Sequence, residues 1–498
     1  MICPTRLIEM VQIPPDCDLV SRYKCLHCPN GSDECRKQQT SKKAATKKTF
    51  LADAPDVISS LPAHVRSAWD FTNTGRVMCD SSVTDLVRAL AIKNSWSGIA
   101  DAINELKATH WVRCKIQVYL SLCVLLELRP ASINPDLPKD LKLSADWVKE
   151  FFVSDSMHRA PEISAAMSME RGDDILLLDW TCDAAARCGK AYLFNAMDSN
   201  RFVLLSQFTD TCKPYEAEEA LRTLAQRGVH PKVVYVDDEC CGAWPRILHK
   251  IWPDVEIRLD VLHAIMRLTK TTTSTQHPWH GRFCIELSKA FHEQDQREVK
   301  RFRRAWLQDG RGLASQRDCN KHVPRRIAPS AIISKAVEKI LEHYAAQMHP
   351  EMGALTTEAT QVAWQSLKPH VEHNCVSEPT KIETPTATKT TVRIGGEVFD
   401  ITRSRRGSSS LEGFHAHQKQ WFGVFAHHGQ AAGEALLTEG ASRWNRKRRN
   451  EASEEKDRTP NVFAKGVLQD ADDLHLQLTN DKLYPALAPT STDKRVKR

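Results

Sequence analysis

Two acidic side chains stand where short apolar runs end. Asp179 follows the run from Ile175 to Leu178, and Asp237 follows KVVYV at residues 232–236. Adjacent parallel strands lie about 4.8 Å apart, so carboxylates at their matching ends can share divalent ions. Oxygen ligands suit Mg²⁺ or Mn²⁺, and two such ions stabilise both the entering and the leaving oxygen of a phosphoryl displacement. The pattern therefore predicts metal-dependent phosphoryl transfer.

Neighbouring acids leave the exact pair open. Asp183 follows Asp179 in the first segment, and Asp238 and Glu239 follow Asp237 in the second. Asp238 and Glu239 also suit the start of the next helix, where negative charge is stabilised by the helix dipole. The alternative for Asp179 is an ordinary acid at a strand end, but its position before a short meander favours a metal ligand. We assign the metal-binding role to Asp179 and Asp237.

The elements that must position these acids alternate in a defined order. Three short apolar runs predict a meander of strands, and PYEAEEALRTLAQRG has proline near its start and glycine at its end, as helices often do. A strand, a helix and a further strand follow, up to Leu259. This β-β-β-α-β-α-β order is that of the ribonuclease H-like α/β fold, in which a carboxylate on the first strand lies beside one at the end of the fourth.

A third acid is indicated by RGSSSLEGFHAHQKQWF at residues 406–422. This segment resembles the one that bears the last acidic residue in eukaryotic DDE transposase-derived proteins, particularly those related to Kyakuja, Dileera and Zisupton elements. LLLDWTCDAAAR, VVYVDDECC and RLDVLHAIMRL are similar to that family's two Asp strands and its Asp-x-x-His helix, and HPWHGRFCIELSKAF and RWNRKRR are also familial. The resemblance spans about residues 55–450. It implies catalytic carboxylates Asp179, Asp237 and Glu412 with Mg²⁺ or Mn²⁺, and a large all-helical insertion before Glu412.

Histidines near these acids have two interpretations. Asp260 and His263 lie three residues apart and share a helix face. His263 therefore either hydrogen-bonds a catalytic carboxylate or a DNA phosphate, or is a core histidine satisfied by Asp260. We list both residues as auxiliary to the site. His415 and His417 are predicted to pack or to contact phosphates.

The cysteines near the N-terminus could form a zinc site. Cys25 and Cys28 have the spacing of one half of a zinc knuckle, and Cys35 with Cys3 or Cys17 could supply the other ligands. The alternative is that all of these thiols are free. The vicinal pair Cys240 and Cys241 is predicted to be buried packing.

A basic run near the end of the resemblance predicts contact with nucleic acid. It consists of Arg446, Lys447, Arg448 and Arg449. Such a run suits DNA phosphates or nuclear import, and the alternative is a solvated basic helix face.

Composition limits the class of protein, its partners and its compartment. The chain has 498 residues, 41% of them hydrophobic and 26% charged, which is typical of globular domains and argues against a disordered or fibrous chain. The net charge of +7 permits a polyanionic partner. The apolar stretch Trp111–Leu128 includes Arg113 and Lys115, which favours a buried helix over a membrane span. The absence of a secretory signal pattern and the low cysteine density predict a reducing compartment, either the nucleus or the cytosol. We expect the nucleus, since the basic run could serve in nuclear import.

The predicted organisation has six parts. They are a Cys-rich head with a basic linker (1–50), a helical region (51–150), the first part of the ribonuclease H-like core (170–265), a helical insertion with an irregular connector (266–405), the last catalytic helix with the basic segment (406–450) and a polar tail (451–498).

The function expected from the acids and the resemblance is DNA nicking and strand transfer by a homo-oligomer on DNA. Two alternatives stay open. One is a domesticated transposon-derived protein that binds DNA or protein without cutting, and the other is a ribonuclease or exonuclease on the same fold.

Overall fold

The structure of the protein is a computed structural model, and it describes two compact units. The described residues are 78–126, 142–182, 184–382, 386–407, 409–423 and 427–452, with short pieces at 20–21, 25–27, 49–51, 71–73, 475–476 and 479–480. The first unit comprises residues 1–163, 420–439 and 453–498, and the second comprises residues 164–419 and 440–452. Asp183, Cys28, the side chain of Cys25 and most of the polar tail lie outside the described residues.

The first unit contains short strands and long helices. Its elements are β1 (Val20–Ser21), β2 (Cys25–His27), β3 (Thr49–Leu51), β4 (Phe71–Asn73), β5 (Met78–Asp80), α1 (Ser81–Ala91), α2 (Trp96–Leu126) and most of α3 (Ala145–Ser168). The helices expected within residues 51–150 are present as α1 and α2, whereas β4 and β5 were not predicted. The Trp111–Leu128 stretch is helical through Leu126, and no helix in the described part of the chain is long and apolar enough to cross a bilayer.

Buried polar contacts tie the helices of this unit together. The Arg88 guanidinium on α1 donates to both carboxylate oxygens of Asp155 on α3, at 2.9 and 2.7 Å. The Trp96 indole donates to Nδ1 of His428 at 2.9 Å. Pairing matters here because an isolated buried charge is strongly destabilising.

The second unit is built on a five-stranded mixed sheet. Its elements up to the last strand are β6 (Ile175–Thr181), β7 (Tyr192–Asp198), β8 (Val203–Thr209), α4 (Glu218–Gln226), β9 (Val233–Val236), α5 (Ala243–Ile251) and β10 (Glu256–Leu259). The strand order is β10-β9-β6-β7-β8. β7 pairs antiparallel with β6 and with β8, and β9 pairs parallel with β6 and with β10.

Burial explains why these runs form the sheet. Every residue of β9 and the first five of β6 are buried, as continuous apolar runs are when a sheet is covered on both faces. Trp244 on α5 and Leu221 on α4 are fully buried in the same apolar core. The predicted element order and the α/β class are confirmed.

The long segment between β10 and the last helices is mostly helical. It contains α6 (Val261–Thr269), α7 (His280–Phe291), β11 (His292–Gln294), α8 (Gln296–Gln308), α9 (Gln316–His322), β12 (Arg325–Ile327), α10 (Ser330–Ala345), α11 (Glu358–Glu372), β13 (Thr386–Ile394) and β14 (Glu397–Ser404).

The prediction of an all-helical insertion with an irregular connector is wrong in part. β11 pairs with β12, and β13 pairs antiparallel with β14 within the segment expected to be irregular. The hairpin forms because both strands are rich in β-branched residues and because Gly395 and Gly396 adopt positive φ at the turn. The glycine pair between β-branched runs was the signal that the sequence reasoning missed.

Two further helices, α12 (Ser409–Trp421) and α13 (Gln430–Ala452), follow. Within the second unit, the Gln418 amide on α12 donates to Oδ1 of Asn195 on β7 at 2.8 Å. Asn445 on α13 accepts from the Val203 N–H and donates to its carbonyl, both at 2.8 Å. These contacts fix the last turns of α12 against β7 and part of α13 against β8.

Candidate active site

The sheet register brings Asp179 and Asp237 to one edge. Ile175 pairs with Val233 and Leu177 with Tyr235, so the same parallel register continued by two residues sets Asp179 opposite Asp237. Asp179 is 2% exposed, and its Oδ1 accepts a hydrogen bond from the Trp180 N–H at 2.7 Å. Its Oδ2 and the Oδ1 of Asp237 are buried and receive no hydrogen bond from any described residue.

The electrostatics of Asp179 reflect this placement. Burial and then the negative charge of Asp237 raise the pKa of Asp179 well above its usual value, and the charge of His263 partly opposes them. Asp238 differs, because burial and its acidic neighbours Asp237 and Glu239 raise the pKa of Asp238 to about 6. The register and the charge acting on Asp179 both favour Asp237 over Asp238 as its partner.

Glu412 reaches the same place from the first turn of α12. The Nε2 of His263 lies 3.5 Å from one Glu412 carboxylate oxygen, and the Nδ1 of His415 lies 3.8 Å from the other. Hydrogen bonding by His263 and by His415 lowers the pKa of Glu412 well below its usual range. One donor atom each of Asp179, His263 and Glu412 lies within 4.8 Å of the other two.

His263 interacts with the carboxylates of both Glu412 and Asp179. Burial works to lower the pKa of His263, but the hydrogen bond to Glu412 and the charges of Asp179 and other acids together raise it to about 9. The imidazole is therefore protonated at neutral pH. Of the two interpretations of His263 from the sequence, the contact with an expected catalytic carboxylate agrees with the structure.

Asp260 acts on the helix that carries His263. It is the N-cap of α6 and accepts from the N–H groups of Leu262 at 2.5 Å and His263 at 3.2 Å. The chain that leads into α12 passes very close to it, because a Cβ added to Gly407 would lie 2.9 Å from Oδ2 of Asp260. Gly407 has φ +74, which favours glycine. Asp260 thus positions both His263 and the start of α12.

The residues at this edge fit a divalent cation. Two buried carboxylate oxygens have no hydrogen-bond partner among the described residues, which is unusual. Such oxygens lower the stability of the fold unless a ligand binds them. Carboxylate oxygens are the preferred ligands of Mg²⁺ and Mn²⁺. The residues that would hold such an ion are Asp179, Asp237 and Glu412.

His415 and His417 lie in different surroundings. His415 is 4% exposed, as packing requires, and its Nδ1 also lies 3.8 Å from Oδ2 of Asp179, beside the site. Its acidic neighbours come from a strand far away in the chain, which local spacing cannot reveal. His417 does pack, with its ring edge-on to Trp444 at 5.2 Å.

The expectation that Cys240 and Cys241 are buried packing is wrong. Cys240 is buried, but Cys241 is exposed, and both thiols lie beside His370 and Cys375. The reason is the turn after β9, which directs both side chains to one side.

The basic run lies on α13. Arg448 pairs with Glu451 at 2.6 Å and stacks over the Trp444 ring, and Arg449 pairs with Glu170. Lys447 is exposed to solvent. Part of the positive charge of the run is therefore used within the second unit.

No protein-family model matches the chain, and no curated protein matches it. The resemblance to transposase-derived proteins therefore rests on the motifs themselves.

Proposed function

We propose that the protein is a transposase-like phosphoryl transferase that nicks and joins DNA at a site formed by Asp179, Asp237 and Glu412. The strand order supports assignment of the sheet to the ribonuclease H-like fold, since the antiparallel meander β6-β7-β8 is extended on its other side by the parallel strands β9 and β10. In that fold, the first and fourth strands carry the first two acids.

One observation carries the proposal. Asp179 lies within β6, near its C-terminal end, and Asp237 directly follows the adjacent parallel strand β9. Each has a buried oxygen that accepts no hydrogen bond from described residues, and Glu412 lies on a separate helix, 3.5 Å from His263. Three acids from distant parts of the chain converge despite their mutual repulsion. Such an arrangement is costly for stability and is typical of functional sites.

The chain's own residues have distinct roles in this proposal. Bound divalent ions would supply charge stabilisation for the attacking and leaving oxygens of the phosphodiester. The raised pKa of Asp179 means that a proton competes with a cation more strongly there than at an ordinary aspartate. His263 holds a proton and offsets the charge of Glu412 and Asp179, and Asp260 keeps it in place.

An open cavity beside the site offers room for an anionic substrate. It has a volume of about 300 Å³, and Asp260, Arg325, Arg406 and Gly407 are among the residues that line it. Arg406 also pairs with Glu378 at 2.6 Å, which orients its guanidinium. Arginines suit phosphate because the guanidinium presents several donors in one plane. DNA is the partner we propose, with action in the nucleus as a homo-oligomer.

The test is nicking of supercoiled DNA by the purified full chain in Mg²⁺ or Mn²⁺. Asp179→Asn, Asp237→Asn and Glu412→Gln keep the size of each side chain and should each abolish nicking, whereas Asp254→Asn, at an exposed acid of the same unit, should not. Equal nicking by all variants would reject the assignment.

A second function is favoured by one observation. The imidazoles of His263 and His415 already lie beside the two carboxylate oxygens of Glu412, so this acid has partners within the protein and does not require a metal ion. A domesticated protein that binds DNA without cutting would retain salt-dependent DNA binding in every variant and would cut in none. Degradation of RNA or DNA ends without strand transfer would instead indicate a ribonuclease or exonuclease.

A further inference from the structure

Four metal-binding side chains meet on the far side of the turn that follows Asp237. Cys240 and Cys241 belong to that turn, His370 lies in the last turn of α11, and Cys375 follows that helix. One donor atom from each lies within 4.8 Å of all the others. Cys240 and Cys375 are buried, and Cys241 is exposed.

Two of the distances among these atoms agree closely with a tetrahedral zinc site, and the other two are shorter than such a site requires. With Zn–S near 2.3 Å and Zn–N near 2.0 Å, tetrahedral ligands lie about 3.8 Å apart for two sulfurs and about 3.5 Å apart for sulfur and nitrogen. The Sγ atoms of Cys240 and Cys241 are 3.9 Å apart, and those of Cys241 and Cys375 are 3.2 Å apart. The Nδ1 of His370 lies 3.2 Å from Cys240 Sγ and 3.6 Å from Cys241 Sγ.

The backbone holds the donors from three directions. Glu239 adopts φ +46, and the Gly242 N–H donates to its carbonyl at 2.9 Å, which closes the turn carrying both cysteines. The Cys375 N–H donates to the carbonyl of His370 at 2.9 Å, which folds the chain back at the end of α11. The Cys375 carbonyl accepts from the N–H of Leu259 at the end of β10, also at 2.9 Å.

A disulfide explains the arrangement less well. A disulfide requires sulfurs about 2.05 Å apart, and neither sulfur pair is that close. A disulfide between any two cysteines would also leave the third thiol and the imidazole unexplained.

We propose that Cys240, Cys241, His370 and Cys375 form a structural zinc site. Three thiolates and one imidazole complete four-coordination, as in closed structural sites. Each coordinating thiol releases its proton to solvent when zinc binds. The site joins the turn after β9, the end of α11 and the end of β10, and it lies three residues from Asp237. It does not depend on whether the protein cuts DNA.

The test uses the full chain with Cys25→Ser and Cys28→Ser, which removes any zinc held by the Cys-rich head. Elemental analysis of this protein should give about one zinc per chain. Replacement of zinc by Co²⁺ should give visible thiolate-to-cobalt charge-transfer bands with the intensity of tetrahedral coordination. Adding His370→Gln or Cys375→Ser should weaken retention of the metal at least tenfold, whereas Cys284→Ser, at a cysteine outside the cluster, should leave it unchanged.

Two results would overturn the proposal. One is an absence of zinc together with an absence of thiolate bands on Co²⁺ titration of the reduced background protein. The other is a disulfide within the cluster, found by mass spectrometry in protein purified under reducing conditions. The cobalt titration needs none of the cluster variants, so it gives an answer even if they fail to fold.

Discussion

Two clusters of possible metal ligands lie next to the end of β9. One includes Asp237 and the other includes Cys240, three residues later, and the charges within the two clusters are arranged differently. At the carboxylate edge, Asp179 and Asp237 keep buried oxygens that no described residue hydrogen-bonds, and their charges oppose one another. In the thiol cluster, the Cys240, Cys241 and Cys375 donors contact each other or His370 directly. The first set is held together against repulsion by the sheet, and the second is already in favourable contact.

This difference indicates two kinds of site. A set of repelling carboxylates on a rigid sheet edge suits an ion that binds with substrate and turns over with it, because its geometry does not depend on the ion. A set of soft donors gathered from three loops and helix ends suits an ion that stays and holds those segments together.

Cys375→Ser should destabilise the second unit most. Loss of a structural metal would cost about 3–5 kcal/mol, which corresponds to a thermal midpoint lower by roughly 6–20 °C for a unit of this size. The measurement is thermal unfolding followed by circular dichroism, with and without added zinc, and Cys284→Ser is the control. A midpoint within 2 °C of wild type is about the shift expected for 1 kcal/mol or less. That result would show that the thiol cluster does not hold a structural metal.

Gly407→Ala should be the next largest change. The new Cβ would lie 2.9 Å from Oδ2 of Asp260 at a backbone φ of +74, so the start of α12 must shift. We expect a loss of about 2–3 kcal/mol and a fall in nicking activity of roughly tenfold or more, since about 1 Å of misplacement can cost that much.

The matched control for that variant is Gly310→Ala. Gly310 has nearly the same φ, +73, but nothing lies within 4 Å of its added Cβ. It should therefore cost about 1 kcal/mol of stability through backbone strain alone and leave nicking unchanged. If both variants reduce nicking equally, Asp260 does not position α12.

Asp179→Asn should stabilise the metal-free protein. Because its pKa is raised, folding at neutral pH must either bury the Asp179 charge opposite Asp237 and Glu412 or take up a proton there. Asparagine requires neither, so the free energy of unfolding should rise by about 1–2 kcal/mol at neutral pH while activity disappears. Chemical denaturation in the presence of a chelator of Mg²⁺ measures the first effect. A decrease in stability would show that Asp179 is an ordinary structural acid, unlike the repelling set described here.

The smallest effect concerns a histidine outside both clusters. Burial, then the positive charge of Arg325, lowers the pKa of His292 to about 4, in contrast with the raised pKa of His263. Its pKa is depressed on folding, so its contribution to stability is present above about pH 6.5 and is lost as the pH falls toward 4.

His292→Gln should remove that dependence. Between pH 7 and pH 5.5, wild type should lose about 1 kcal/mol more stability than the variant, as measured by unfolding midpoints across the pH range. His230→Gln, at an exposed histidine, should follow wild type. Parallel curves for wild type and His292→Gln would show that burial does not set the titration of His292.

The sequence predicted the local parts of this architecture well. The element order and the positions of Asp179 and Asp237 follow from short apolar runs and the acids that end them, because strand formation and register depend on nearby residues. Glu412 was indicated only by its motif. The roles of His415 and of His370 with Cys375 were missed, since each depends on contacts across more than 100 residues that no local spacing encodes.

The β13–β14 hairpin teaches a different lesson. Its glycine pair and β-branched residues were visible in the sequence, but the high content of Thr, Ser and Pro in the surrounding segment favoured an irregular interpretation. Local turn chemistry was the better guide there.

The most direct test of the central claim is Mn²⁺ binding measured by electron paramagnetic resonance on zinc-loaded protein without DNA. The proposed site predicts bound Mn²⁺ in wild type and in Asp254→Asn, and at least tenfold weaker binding in Asp179→Asn and Asp237→Asn. Equal binding by all four proteins, or an absence of bound Mn²⁺ in wild type, would contradict a metal site at this edge of the sheet.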